Sequence, residues 1–117
     1  MFLCQAVETS ETLQSLNLSN VCISPESVQF LCQTLTKNKS LVTLILESVG
    51  MTIEATEDIV SAMRNHPCLQ ILDISRNLIG REGFYHIMQM CTKNHAIKML
   101  KANNNGIGGC DHEFLSD

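Results

Sequence analysis

One spacing constrains this chain more than any other feature. The pattern L-x-x-L-x-L begins at Leu13, with Leu16 and Leu18, and again at Leu41, with Leu44 and Leu46. A third copy reads Leu69, Leu72, Ile74, and a fourth Ile97, Leu100, Ala102. The starts at 13, 41, 69 and 97 are equally spaced, with no insertion between them. The tetrapeptide Phe2-Leu3-Cys4-Gln5 returns after the same interval as Phe30-Leu31-Cys32-Gln33. Self-similarity at a fixed period of this length is the mark of stacked units, none of which can bury its apolar face alone.

The rest of each unit keeps phase. An apolar set recurs as Val28, Leu31, Cys32, Leu35, then as Thr56, Ile59, Val60, Met63, then as Phe84, Ile87, Met88, Cys91. Offsets of three, four and seven residues lie on one face of an α-helix. Ser24 and Pro25 suit a helix entrance. Asn38, Asn94 and the pair His66-Pro67 suit helix exits. Each unit therefore reads strand, turn, helix, loop, and stacking predicts a parallel sheet on one side and helices on the other. The expected division is a single domain over 1–117. Residues 1–12 form the helical half of a unit, 13–40, 41–68 and 69–96 are complete units, and 97–117 is a truncated one. Neither end shows a polar capping unit, so a segment of a longer protein is expected.

These units resemble the ribonuclease-inhibitor type of leucine-rich repeat, a family of 28-residue units with a full helix on the convex side. The resemblance implies an α/β leucine-rich-repeat solenoid, with a curved parallel sheet on the concave side and α-helices on the convex side. It also implies protein–protein interaction through the concave face of the arc, as part of a larger scaffold or sensor protein. The family pattern places Asn or Cys just after each strand, where the side chain satisfies the turn. Asn77 and Asn105 match, whereas Val21 and Val49 do not, and Cys22 is a possible substitute one residue on. The family also includes GTPase-activating proteins of the Ran type, for which Arg76 with Asn77, or Arg81, are the available residues; this is a remote alternative.

Composition excludes other classes. The formal charge is −4 and the basic residues are scattered, unlike a nucleic-acid footprint. No apolar run approaches the roughly 20 residues of a membrane span. The start, 1–7, lacks the basic flank and cleavage site of a signal peptide. The six cysteines contain no C-x-x-C pair, so neither zinc nor a disulfide framework is expected. Reduced thiols and a cytoplasmic location are the default. Cys4 and Cys32 share a phase on the buried helix face, where small apolar packing is expected.

Catalytic motifs are missing, and no enzyme, cofactor or metal is expected. The Gly-rich stretch 103–109 lacks the lysine of a phosphate loop and falls at the turn position of its unit. Cys110, Asp111 and His112 sit close together but lack further ligands at the needed spacing. What remains is a surface. If L-x-x-L-x-L marks the core, the residues between face outward. They form the columns Ser15, Thr43, Ile71, Met99 and Asn17, Ile45, Asp73, Lys101, with Ser19, Glu47, Ser75 and Asn103 beyond. The expected protein-binding site is Thr43, Ile45, Glu47, Ile71, Asp73, Met99 and Lys101, an exposed apolar strip with a polar rim. The partner is a protein, with no nucleic acid or membrane. An architectural segment that stacks or self-associates through open ends is the alternative.

Overall fold

Three helices lie on one side of a sheet whose strands follow one another in chain order. The computed structural model describes residues 10–105 and the strand at 113–115. The strands are β1 (Ser15–Asn17), β2 (Thr43–Ile45), β3 (Ile71–Asp73), β4 (Met99–Lys101) and β5 (Glu113–Leu115). The helices are α1 (Pro25–Lys37), α2 (Ile53–Met63) and α3 (Gly80–Lys93). The sheet order is β1-β2-β3-β4-β5. The first four strands are parallel, and Ser15, Thr43, Ile71 and Met99 stand side by side, each one repeat after its neighbour. Pairing of β4 with β5 is antiparallel, which the repeat pattern does not anticipate.

Alternation decides which side chains enter the core. The central residues Leu44, Leu72 and Leu100 are fully buried. They meet the buried faces of the helices, Val28, Leu31 and Leu35 from α1, Ile59, Val60 and Met63 from α2, and Ile87, Met90 and Cys91 from α3. The core is aliphatic, as a chain without tryptophan requires. Ser24 caps α1 by accepting from the Ser27 N–H, and Thr52 caps α2 by accepting from the Ala55 N–H. Each cap satisfies one of the orphan donors of a first turn.

The expectation of a curved leucine-rich-repeat solenoid is corrected here. The described residues form a small α/β domain of three helices on a sheet whose four parallel strands are short, each of three residues. An antiparallel strand closes one edge of the sheet. The radius of gyration is 13.0 Å, that of a compact globule of this length. Among the described residues, the three helices and the three-residue strands make too short a stack to form an arc with its own concave face. The expected helical half-unit at 1–12 falls almost wholly outside the described residues. So do Cys4, the glycines of 106–109 and the cluster at 110–112.

Each parallel strand leaves through a residue in the left-handed region: Asn20 (φ 66°), Ser48 (φ 57°), Arg76 (φ 58°) and Asn104 (φ 57°). Asn tolerates this backbone, whereas Ser and Arg do so at a cost of order 1 kcal/mol. Ser48→Val is therefore expected to lower stability by about 1–2 kcal/mol, because a branched Cβ is worst placed there. Ser48→Asn should be neutral or stabilising. Urea midpoints at an unchanged slope check both.

Candidate functional site

A buried asparagine shapes the strand exits. Asn77 Oδ1 accepts from the backbone N–H groups of Val49 and Met51, both at 3.0 Å. Its Nδ2 donates to the carbonyls of Leu46 and Ile74 at 2.8 Å and of Ser75 at 3.2 Å. Asn105 repeats the arrangement: its Oδ1 accepts from the Asn77 N–H and its Nδ2 donates to the Ile74 carbonyl. One side chain thus serves two successive turns. This explains how Val49 can occupy the asparagine position of its own turn, since Asn77 supplies the missing acceptor from next door. The first turn has no such neighbour. Val21 N–H folds back onto the Leu18 carbonyl, and Val21 and Cys22 remain exposed. Cys22 does not take the role of the asparagine. Asn77 is buried within these bonds, so it is not a residue presented to a GTPase partner.

The turns hold a surface at the C-terminal ends of β2, β3 and β4. A polar depression of ≈ 220 Å³ opens there, lined by Glu47, Asp73, Ser75, Arg76, Lys101, Asn103 and Asn104. Both signs of charge are present. Arg76 Nε lies 3.5 Å from Glu47 Oε1, and the Arg76 side chain is 66% exposed. At that exposure the pair adds little stability. Asp73 Oδ1 accepts from the Ser75 N–H at 3.0 Å, closing a local turn. Lys101 stands beside Asp73 in the strand register. Ser75 Oγ accepts from the Asn103 N–H at 3.1 Å, tying the third and fourth exits together. The Asn103 Oδ1 is buried without a partner.

Of the seven residues expected at the site, Glu47, Asp73 and Lys101 are brought together around this depression. Thr43, Ile71 and Met99 form one cross-strand column and Ile45 continues into Asp73 and Lys101 in the next. All seven are half-buried. The expected exposed apolar strip is therefore muted: Ile45, Ile71 and Met99 show only part of their surface. Among the described residues, the large apolar side chains that stand exposed are Leu78 (74%), Tyr85 (59%), Val21 (48%) and Phe30 (46%), on turns and helices. Arg76, which the sequence offers only for the GTPase-activating alternative, and Asn104, which it does not offer at all, join the depression. Their left-handed backbone, which aims the side chains, leaves no mark in a hydrophobic pattern.

The helical side carries a different chemistry. Gln29 Nε2 donates to Asp58 Oδ2 at 3.3 Å between α1 and α2, and His86 Nε2 lies 3.6 Å from Glu57 Oε1 between α2 and α3. A groove of ≈ 390 Å³ between α1 and α2 has Cys32 in its wall. Burial first, and the Asp58 carboxylate second, push the Cys32 thiol up to about 11. Burial alone does the same for Cys91. Thiols held protonated in this way are poor nucleophiles and poor metal ligands at neutral pH. Among the described residues no group of three or more His, Cys, Asp or Glu could hold a metal ion. Among them, too, no helix is long and apolar enough to cross a membrane.

No protein-family model matches this chain, and no curated protein matches it. Solved structures do. The C-terminal domain of tropomodulin from Caenorhabditis elegans matches with a TM-score of 0.81 and 17% identity, over 91% of this chain and 65% of that one. Actin-binding site 2 of leiomodin-1 matches with a TM-score of 0.79 and 17% identity, over 87% of this chain and 60% of that one. The chain thus spans less than two thirds of either structure. This likeness overturns the resemblance to ribonuclease-inhibitor-type leucine-rich repeats: the fold is shared with the tropomodulin and leiomodin domains. Identity this low establishes the fold and no more.

Proposed function

We propose that this chain is a non-catalytic protein-binding module of the cytoskeleton, that its partner is actin, and that the open face of the sheet receives it. The observation that carries the site is the pair of cross-strand columns running into the mixed-charge depression. Half-buried apolar side chains flanked by charges of both signs suit a protein partner, the apolar part contributing desolvation and the charges register. The choice of actin is supported by the fold shared with a domain that bears an actin-binding site in leiomodin-1. Cofactor chemistry has no part in this reading.

The test is a titration of fluorescently labelled actin, monomeric and filamentous in separate arms, against the immobilised domain. Wild type runs beside Ile71→Arg/Met99→Glu, with circular dichroism confirming that both are folded. Central interface substitutions of this kind typically cost about 2 kcal/mol or more, roughly a thirtyfold loss of affinity. Equal binding by the two proteins would remove the sheet face as the site. Failure of both to bind either form of actin would remove actin as the partner.

A further inference from the structure

The three helix exits are built alike, and one of them differs in a way that carries consequences. Asn38, His66 and Asn94 follow α1, α2 and α3 at the period of the repeat, and all three are buried. Asn38 Oδ1 accepts from the N–H groups of Ser40 and Leu41. Asn94 Oδ1 accepts from the Ala96 N–H, and its Nδ2 donates to the carbonyls of Met63 and His66. His66 does the same work with an imidazole. Its Nδ1 accepts from the N–H groups of Cys68 at 3.2 Å and Leu69 at 3.1 Å. Nδ1 must therefore be unprotonated, which places the ring proton on Nε2. That Nε2 is buried with no hydrogen-bond partner, in a residue only 2% exposed.

We propose that His66 is a proton-sensitive pin: protonation at Nδ1 breaks both of its bonds to the backbone and releases the segment that leads into β3. No other arrangement of the ring preserves those bonds, because an imidazolium has two donors and no acceptor. The surroundings also oppose the cation. The small cavity of ≈ 120 Å³ beside the ring is lined by Leu35 and Thr36 of α1, Ser61 and Ala62 of α2, and Lys39, Asn65 and His66 of the connections. Lys39 is the charged group among them, and it carries the same sign as the imidazolium. The Cys68 thiol, two residues on, donates to the Lys39 carbonyl at 3.2 Å. From the following connection an amide, Asn94, faces the His66 carbonyl. Burial first and Lys39 second hold the His66 pKa below its ordinary value, against a smaller contribution from the Asn38 backbone that favours the charged ring.

The sign of the effect follows from linkage. A base whose pKa is lower in the folded state binds more protons when unfolded. Its contribution to stability is full above about pH 6.5 and is lost as the pH falls from there through the folded value. The release concerns the lead into β3, which carries Ile71 and Asp73, and it holds whichever partner the sheet face binds.

The experiment compares the intact chain with His66→Asn, the residue found at the other two exits. Thermal unfolding of wild type should lose about 4 °C or more between pH 7.5 and 5.5. His66→Asn should lose markedly less over the same range. In wild type, hydrogen-exchange protection of the Cys68 and Leu69 amides should fall at pH 5.5, after correction for the intrinsic rate, while the amides of Ser40 and Leu41 keep theirs. An equal pH slope in the two proteins would overturn the proposal. So would a His66 imidazole that NMR shows protonating near pH 6.5 with those two amides still protected, a readout that needs no variant to fold.

Discussion

Replacing Asn77 with alanine is expected to destabilise the domain by about 3 kcal/mol or more, since each buried N–H left without an acceptor costs about 1–3 kcal/mol. Two such groups, those of Val49 and Met51, would be orphaned. The carbonyls of Leu46, Ile74 and Ser75 would lose a donor as well. Against a total stability of about 5–15 kcal/mol for a domain of this size, that is a large fraction. Asn77→Asp is not a conservative rescue. It keeps the acceptor but removes the donor and sets a buried negative charge against three carbonyl oxygens. It should therefore be at least as harmful at neutral pH. Equilibrium denaturation in urea measures both. A loss under about 1 kcal/mol for the alanine variant, below the cost of even one orphaned donor, would mean that the stacking of the strands, and not this side chain, holds the turns.

The second large effect lies in the sheet. Leu72→Ala is expected to cost between about 3 and 5 kcal/mol, because the cavity it opens is closed on every side. Leu72 is fully buried at the middle of β3, between Leu44 and Leu100 in the register, and both of those are fully buried too. The same substitution at Leu16, in the same phase on β1, should cost markedly less. Leu16 is only half-buried at the outer strand of the sheet, where the site can relax and water already reaches part of the side chain. Equal losses at the two positions would mean that packing is uniform across the sheet and not graded from its centre.

Part of this was legible in the sequence. Leu16, Leu44, Leu72 and Leu100 repeat at a constant spacing, so their register across the sheet could be read before any coordinates. The helical faces could be read from offsets of three and four. The shape of the assembled body could not, because a periodic pattern says which faces stack and not how far the stack extends. Nor could β5, whose antiparallel pairing belongs to none of the repeated units. The candidate site was partly legible. Alternation along three-residue strands placed Thr43, Ile45, Ile71, Asp73, Met99 and Lys101 on the open face, but it could not say that the three apolar ones are half covered. Arg76 was visible as a residue and not as part of the depression, since a positive φ at a non-glycine position follows from the turn and its neighbours. Asn77 was expected to serve its own turn. Its bonds to Val49 and Met51 arise only when two units lie side by side. His66 was read as a helix exit, and its sensitivity to protons emerges only from the buried ring and its two backbone donors.

The most direct test of the sheet face as an actin-binding surface is a hydrogen-exchange footprint of the domain with and without saturating actin. Increased protection is expected at 43–47, 71–76 and 99–104, with the helices α1, α2 and α3 unchanged. Protection confined to the helical face, at 29–37 and 57–62, would contradict it, as would no change anywhere in the presence of actin.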